Sequence, residues 1–435
     1  MRTAFQLAQL ADPALAEAER NLRACVHCGI CTASCPTYVL LGDERDSPRG
    51  RIVMMQQMLE EDAAPSAETV LHLDRCLSCL GCRSACPSGV DYARLIDLSR
   101  AHIETRYRRP LADRLMRWIV ATVLPHPALA RMALSLAQIF SPLTRLLPGR
   151  LGAMARTGTR IGRTHSPARS IDAGANPRRV ALLRGCVQQA MAPEIDEAVA
   201  RVLARRGIAL TPLEGAGCCG ALSHHLGRED EAKAWARRAI EAFEQAGGSG
   251  AFDGVLITAT GCAAHIEDYP HLFLGDPEWQ DRAGNFAATL RTFSELVTPR
   301  PSEPPRSLRV ALHLPCSLQH GLRRPDGAEL LAAAGFEVLA IPEGHLCCGS
   351  AGSYSLLQPE IAQALRARKL ANIETVGPDA VATSNIGCLQ HLSGPEALPV
   401  VHIAELIDWA EGGPEPGAIA SGRRDHVMTK HRTMN

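Results

Sequence analysis

The 435-residue sequence has no apolar stretch long enough to cross a membrane. Its longest near the middle, Trp118 to Leu124, is closed off by Arg117 and Pro125, far short of the roughly 20 residues a membrane helix needs. The opening MRTAFQLAQL is too polar and too short for the apolar core of a secretory signal. An oxidising compartment is therefore not expected, and the 16 cysteines are expected as reduced thiols kept for metal or redox work. A cytoplasmic location follows, at most lying on the inner face of the cytoplasmic membrane. Aromatic residues are scarce, and neither a Walker-type phosphate loop nor a paired-histidine zinc motif is present. Lysine is missing altogether between Arg106 and Arg179, where fourteen arginines face only Asp113 and Asp172. That segment carries +12 in a chain whose net charge is zero. It reads as a solvated arginine-rich linker, or as a docking surface for an acidic subunit or anionic lipid. No recognition motif accompanies the charge, so nucleic acid is not an expected partner.

What the sequence does have is one cysteine pattern used twice. Cys25-Val-His-Cys28-Gly-Ile-Cys31-Thr-Ala-Ser-Cys35-Pro36 and Cys76-Leu-Ser-Cys79-Leu-Gly-Cys82-Arg-Ser-Ala-Cys86-Pro87 both read C-x2-C-x2-C-x3-C-P. Three thiolates on a tight turn hold three irons of a cubane, and in two-cluster ferredoxins the fourth cysteine of each run serves the other cluster. The spacing thus assigns Cys25, Cys28, Cys31 and Cys86 to one [4Fe–4S] cluster, and Cys76, Cys79, Cys82 and Cys35 to a second. A zinc ribbon has no use for the third cysteine or the trailing proline, and neighbours in so tight a run are poorly placed for disulfides.

Around these runs the pattern is helical. Leu15, Ala18, Leu22 and Cys25 share a face. Ser47-Pro48 is an N-cap followed by proline at the first helical position, with Ile52, Met55 and Leu59 continuing at helical spacing. Asp91 can cap a helix that presents Tyr92, Leu95, Ile96, Ser99 and Ile103 on one side. Residues 1–109 are thus expected to form an α-helical, ferredoxin-like domain. Residues 110–148 read as short amphipathic helices broken by Pro125, Pro127 and Pro142, a hairpin covering the cluster domain in preference to a membrane-surface element. The stretch from Gly149 to Pro177 is a linker, so that 110–177 forms a basic connecting segment.

Beyond the linker the chain repeats itself. The strand before Cys186 answers the one before Cys316, Cys218-Cys219-Gly220 answers Cys347-Cys348-Gly349, and Val255 to Cys262 answers Val381 to Cys388. The offsets of 130, 129 and 126 residues mark two halves of one α/β unit, at 178–300 and 306–412, with a loose tail at 413–435. Cysteines at the ends of parallel strands should gather four thiols in each half. Gly215-Ala-Gly217-Cys-Cys-Gly220 matches the dinucleotide pattern, but the second half loses the middle glycine at Leu346. The halves share thiols, not a phosphate cradle, and the chain has no visible means of binding a flavin or nicotinamide.

Two ferredoxin runs followed by two Cys-Cys-Gly halves resemble the iron–sulfur subunits of respiratory 2-hydroxyacid and glycerol 3-phosphate dehydrogenases and the heterodisulfide reductases. The stretch from Cys25 to Arg51, the segment Leu71-His-Leu-Asp-Arg-Cys76, and Cys86-Pro-Ser-Gly-Val-Asp-Tyr92 look most like the glycolate oxidase iron–sulfur subunits. The resemblance spans residues 15 to 410. It implies an electron-transfer subunit, in which a separate FAD-bearing subunit oxidises glycolate and the clusters pass electrons singly to a quinone or another acceptor at the membrane. Relatives serving glycerol 3-phosphate or lactate, or a heterodisulfide-reductase-like catalytic chain, are the alternatives. One departure from the family is visible: its members end each half in C-x2-C, whereas here the halves read Cys262-Ala-Ala-His265 and Cys388-Leu-Gln-His391. Cys186, Cys218, Cys219, Cys262 and His265, with Cys316, Cys347, Cys348, Cys388 and His391, are therefore candidates for a further cluster, a zinc ion or a thiol redox site.

Overall fold

The computed structural model describes residues 1–139, 171–302, 304–394 and 397–421. The N-terminal domain is helical, as the caps require. Helix Pro13–Ala24 starts at Asp12, whose carboxylate accepts from the Ala14 and Leu15 amides. Helix Pro48–Glu61 starts at Ser47, whose hydroxyl accepts from the Gly50 amide, and helix Tyr92–Arg106 starts at Asp91. Leu22, Met55, Leu59, Leu73, Leu95 and Ile96 close the space between them. Burying such side chains contributes about 1.5–3 kcal/mol each.

Each later half is a four-stranded parallel sheet of the same order. In the first, β1 (Arg178–Leu182) lies between β2 (Ile208–Pro212) and β3 (Gly254–Leu256), with β4 (Leu290–Arg291) outside β3. In the second, β5 (Arg309–Leu312) lies between β6 (Glu337–Ala340) and β7 (Ala380–Thr383), with β8 (Val400–His402) outside β7. Chain order reverses at β1 and at β5, the switch point where α/β sheets open a crevice beyond their strand ends.

Cys262 and Cys388 do not end strands, contrary to what the sequence suggested. β3 and β7 stop short, and Cys262 and Cys388 lie in the first turn of helices Thr260–Glu267 and Ile386–Leu392. Cys186 likewise opens helix Cys186–Met191 after β1. The fourth strands, two and three residues long, were too short to leave a period in the sequence.

The halves share one core, in which Val180, Leu182 and Val199 pack with Val310, Leu331 and Ile407. At its edge Arg201 and Arg205 hold the buried Asp408 carboxylate at 2.7 and 2.6 Å. Ile419 is also buried in this core, so residues 413–421 differ from the loose tail expected there. The rest of that tail, 422–435, lies outside the described residues, as do residues 140–170 with Pro142 and most of the linker.

Helices Leu111–Val123 and Pro127–Ile139 form the expected pair. Arg109 and Arg117 join the pair to Asp74 of the N-terminal domain at 2.6 and 3.0 Å. Its apolar side, however, covers the C-terminal halves: Met116 and Val120 pack on Leu226, Leu356 and Leu357, and Ala130 on Ala190 and Met191. The N-terminal domain is seated on both halves. Arg94 grips Asp268 through two bonds of 2.6 Å, Tyr354 donates to the Arg75 carbonyl at 3.0 Å, and His320 Nδ1 lies 3.1 Å from Ser84 Oγ.

Candidate metal centre

Both ferredoxin-type runs fold by the same device. Cys25 and Cys76 are each followed by two left-handed residues, His27 (φ 57°) and Gly29 (φ 82°) in the first run, Ser78 (φ 51°) and Leu80 (φ 60°) in the second. Three of these four are not glycine, and such conformations cost of order 1–3 kcal/mol each unless the surroundings enforce them. They wrap each run into a tight turn.

Cys35, the fourth cysteine of the first run, leaves its neighbours. It caps helix Pro36–Leu41 and lines a small buried cavity together with Cys76, Cys79 and Cys82 of the second run. Thr37, Arg51 and Tyr92 complete its wall. The Ser78 amide donates to Cys76 Sγ at 3.5 Å, and Thr37 Oγ1 lies 3.3 Å from Cys35 Sγ. Cys25, Cys31 and Cys86 pack along the same helical core, and Cys28 is exposed. The Val90 amide donates to Cys86 Sγ at 3.4 Å. Burial pushes the Cys31 thiol up to about 11, with the neighbouring Cys25 and Cys28 adding to the shift. Burial raises Cys79 and Cys82 as well, Cys79 further through Cys316 and Cys35. Buried thiols that repel one another's ionisation become thiolates together only when a cation neutralises them. This donor set fits two metal clusters.

Each C-terminal half does gather its four thiols. Cys186 Sγ lies 3.3 Å from Cys218 Sγ, and Cys316 Sγ lies 3.8 Å from Cys347 Sγ. Cys219 contacts Cys262, and Cys348 contacts Cys388. Hydrogen bonds from Cys186, Cys219 and the Gly220 amide hold the Cys218 thiol below its ordinary range. The Cys-Cys-Gly glycines are fixed by the backbone: Gly220 and Gly349 are left-handed (φ 85° and 96°), and a Cβ would meet the Ala232 and Ala362 carbonyl oxygens at 3.0 and 2.6 Å. Gly217 of the dinucleotide-like pattern is left-handed too, and its Cβ would strike Trp235 at 2.7 Å. A tight turn under an indole accounts for that glycine.

The two thiol sets face one another, which no local pattern signals. All eight thiols line a single cavity of about 750 Å³, and Cys79 of the second ferredoxin-type run lines it with them. Two histidines named from the sequence part company here. His265 is buried on the cavity wall, and its Nε2 has no hydrogen-bond partner among the described residues. His391 Nε2 meets the Ala362 carbonyl at 3.2 Å. The histidine whose ring nitrogen lies with the Cys348 and Cys388 sulfurs, all within 4.8 Å of one another, is His313, just beyond β5. A histidine at the end of a central strand, three residues before a cysteine, was the available signal.

Comparisons with known proteins agree with this layout. A 4Fe-4S dicluster domain family matches residues 21–90, and a cysteine-rich domain family matches residues 180–267 and 310–393. The chain is 39% identical over 398 residues to the glycolate oxidase iron–sulfur subunit of Escherichia coli, covering 91% of this chain and 95% of that one. It is 30% identical to a probable glycolate oxidase iron–sulfur subunit of Bacillus subtilis over the same shares of both chains. Lactate utilization protein A of Geobacillus kaustophilus is 28% identical over 53% of this chain and 98% of its own. A crystal structure of a hypothetical protein from Helicobacter pylori shares the fold at a TM-score of 0.56 and 8% identity, over 94% of this chain and 74% of that chain. With its dicluster runs, its duplicated cysteine-rich halves and near-complete coverage of both relatives, the chain belongs to the family of glycolate oxidase iron–sulfur subunits.

Proposed function

We propose that this chain is the electron-transfer subunit of a glycolate-oxidising complex whose hydride chemistry takes place on an FAD-bearing partner. Cys25, Cys28, Cys31 and Cys86 would hold one [4Fe–4S] cluster, and Cys35, Cys76, Cys79 and Cys82 the other. Bound there, such clusters supply one-electron transfer, which lets a two-electron flavin discharge in single steps. Cys79 carries the reading, because it belongs both to the small cysteine cavity and to the wall of the large thiol cavity. That position connects the N-terminal domain with whatever accepts electrons among the C-terminal thiols, whether a metal site or a quinone. The test is an anaerobic preparation of the chain with its flavin partner, analysed for iron and for glycolate-to-quinone turnover. About eight irons per chain with turnover is the expected result for two cubanes. A colourless, iron-free chain would end the proposal, and additional iron, or zinc held by a sulfur first shell, would identify filled C-terminal cysteine sites.

One observation favours a second, catalytic reading: eight thiols around an open cavity could reduce a disulfide or quinone directly. Assaying the purified chain for either activity without the flavin subunit separates the two.

Contact of the complex with a membrane surface through the helical pair is part of this reading. Leu111, Leu115 and Trp118 are exposed along one side of the first helix, and Leu129, Met132, Leu136 and Ile139 along one side of the second. No helix among the described residues is long and apolar enough to cross a membrane. An apolar stripe with a tryptophan, next to an arginine-rich segment, has the make-up of an interfacial helix on anionic lipid. The chain should sediment with vesicles containing phosphatidylglycerol and much less with neutral ones. Exchanging Leu115, Trp118 and Leu136 for serine should release it by tenfold or more, and equal sedimentation of this variant would count against the assignment.

A further inference from the structure

Across the thiol cavity lies a set of nitrogen and oxygen donors that the cysteine chemistry does not use. Asp97 comes from helix Tyr92–Arg106 of the N-terminal domain, and His224 and His225 end helix Ala221–His225 of the first half. One ligand atom from each of the three lies within 4.8 Å of the other two. All three side chains line the large cavity, and so does His265, whose ring centre is 4.9 Å from that of His224. Two ring nitrogens in this group, His225 Nδ1 and His265 Nε2, are buried without a hydrogen-bond partner among the described residues.

Buried nitrogens left without a partner are destabilising and call for an occupant. The neighbouring arginines are committed elsewhere, Arg94 to Asp268 at 2.6 Å and Arg100 to the Ser78 hydroxyl and the Cys76 carbonyl at 2.6 and 2.7 Å. Imidazoles beside one carboxylate, on the wall of a large cavity, form the donor set of a first-row divalent metal.

We propose that Asp97, His224 and His225 bind a divalent transition-metal ion of the zinc class, with His265 flanking it, apart from the sulfur sites and independently of the electron-transfer reading. The ion would satisfy the orphaned nitrogen of His225 and neutralise Asp97. It would also cross-link the N-terminal domain to the first cysteine-rich half, because its ligands come from both.

The test uses the full-length, iron-loaded chain prepared without air, equilibrated with zinc sulfate and desalted. Metal analysis should find about one zinc per chain, with an X-ray absorption first shell of nitrogen and oxygen near 2.0–2.1 Å. His225→Ala and the isosteric Asp97→Asn should each weaken zinc binding at least tenfold in competition with a chelator. Iron content should be unchanged in both variants, which shows that they fold. Zinc should also raise the melting temperature of the parent chain and not of the variants, since only a ligand that binds the folded state stabilises it. A first shell dominated by sulfur, no retained zinc in the parent, or equal zinc affinity in an iron-replete variant would overturn the proposal.

Discussion

Replacing Cys79 with serine is expected to halve the iron content of the chain, from about eight to about four per molecule, and to stop glycolate-to-acceptor turnover. Serine preserves side-chain volume and leaves Cys35, Cys76 and Cys82 in place, so the helical core of Leu73, Leu95 and Ile96 should still assemble. What is lost is a soft thiolate at the point where the small cysteine cavity meets the large one. Disturbing partners outside the ligand shell already costs 10–100-fold in metal affinity or activity, so removing a ligand should lower turnover by at least about a hundredfold. The flavin partner should still be reduced by glycolate, because that step occurs before the break. The matching exchange at exposed Cys28 should also halve the iron but should leave the cysteine cavity around Arg51 intact. Iron determination and steady-state turnover on the two variants, with flavin reduction followed separately, test this. Full iron and full turnover in the Cys79 variant would remove Cys79 from the ligand set.

The parts legible in the sequence were those fixed by short-range chemistry. The ferredoxin-type runs are read from spacing alone, and the caps at Ser47 and Asp91 from adjacent residues. The duplication is read from matched cysteine offsets, and both sheets have the same strand order. What escaped depended on residues distant in the chain. Nothing local says that Cys262 and Cys388 sit one turn into a helix, since Gly261 and Gly387 look like strand-end turns. Nothing local brings Asp97 to His224, or His313 to Cys348 and Cys388. His391 was a candidate ligand from the sequence, yet its Nε2 faces a backbone carbonyl, because helix Pro359–Thr375 presents Ala362 to it. The helical pair was expected over the cluster domain. Its burial against Leu226 and Leu356 came from a face of Met116 and Val120 whose partners lie more than a hundred residues away.

The second large effect is expected at Arg51, which looks like an ordinary surface arginine in the sequence and is 1% exposed in the fold. Its guanidinium donates to the His72 carbonyl at 2.7 Å, to Thr37 Oγ1 at 3.1 Å and to the fully buried Asp46 carboxylate at 3.1 Å, and its Nη1 lies 3.8 Å from Cys35 Sγ. Asp46 also receives Arg75 at 2.8 Å and faces His72 Nδ1 at 3.0 Å. Arg51→Met keeps much of the volume but strips a buried carboxylate of its only fully buried guanidinium among the described residues, a loss of about 3–5 kcal/mol. It also removes a positive charge beside Cys35, a proposed cluster ligand, and a positive charge favours the reduced, more negative state of the centre it faces. The reduction potential of the cluster at Cys35, Cys76, Cys79 and Cys82 should therefore fall, by on the order of tens of millivolts given how strongly local charge tunes such centres. Arg51→Lys separates the two effects. Lysine keeps the charge but cannot reproduce the three-way fork, so stability should fall in both variants and the potential chiefly in the methionine one. Denaturant unfolding read together with a redox titration followed by electron paramagnetic resonance measures both quantities on the same samples. If the methionine variant kept the parent potential, Arg51 would be a structural strut only, and the charge beside Cys35 would have no part in setting the cluster.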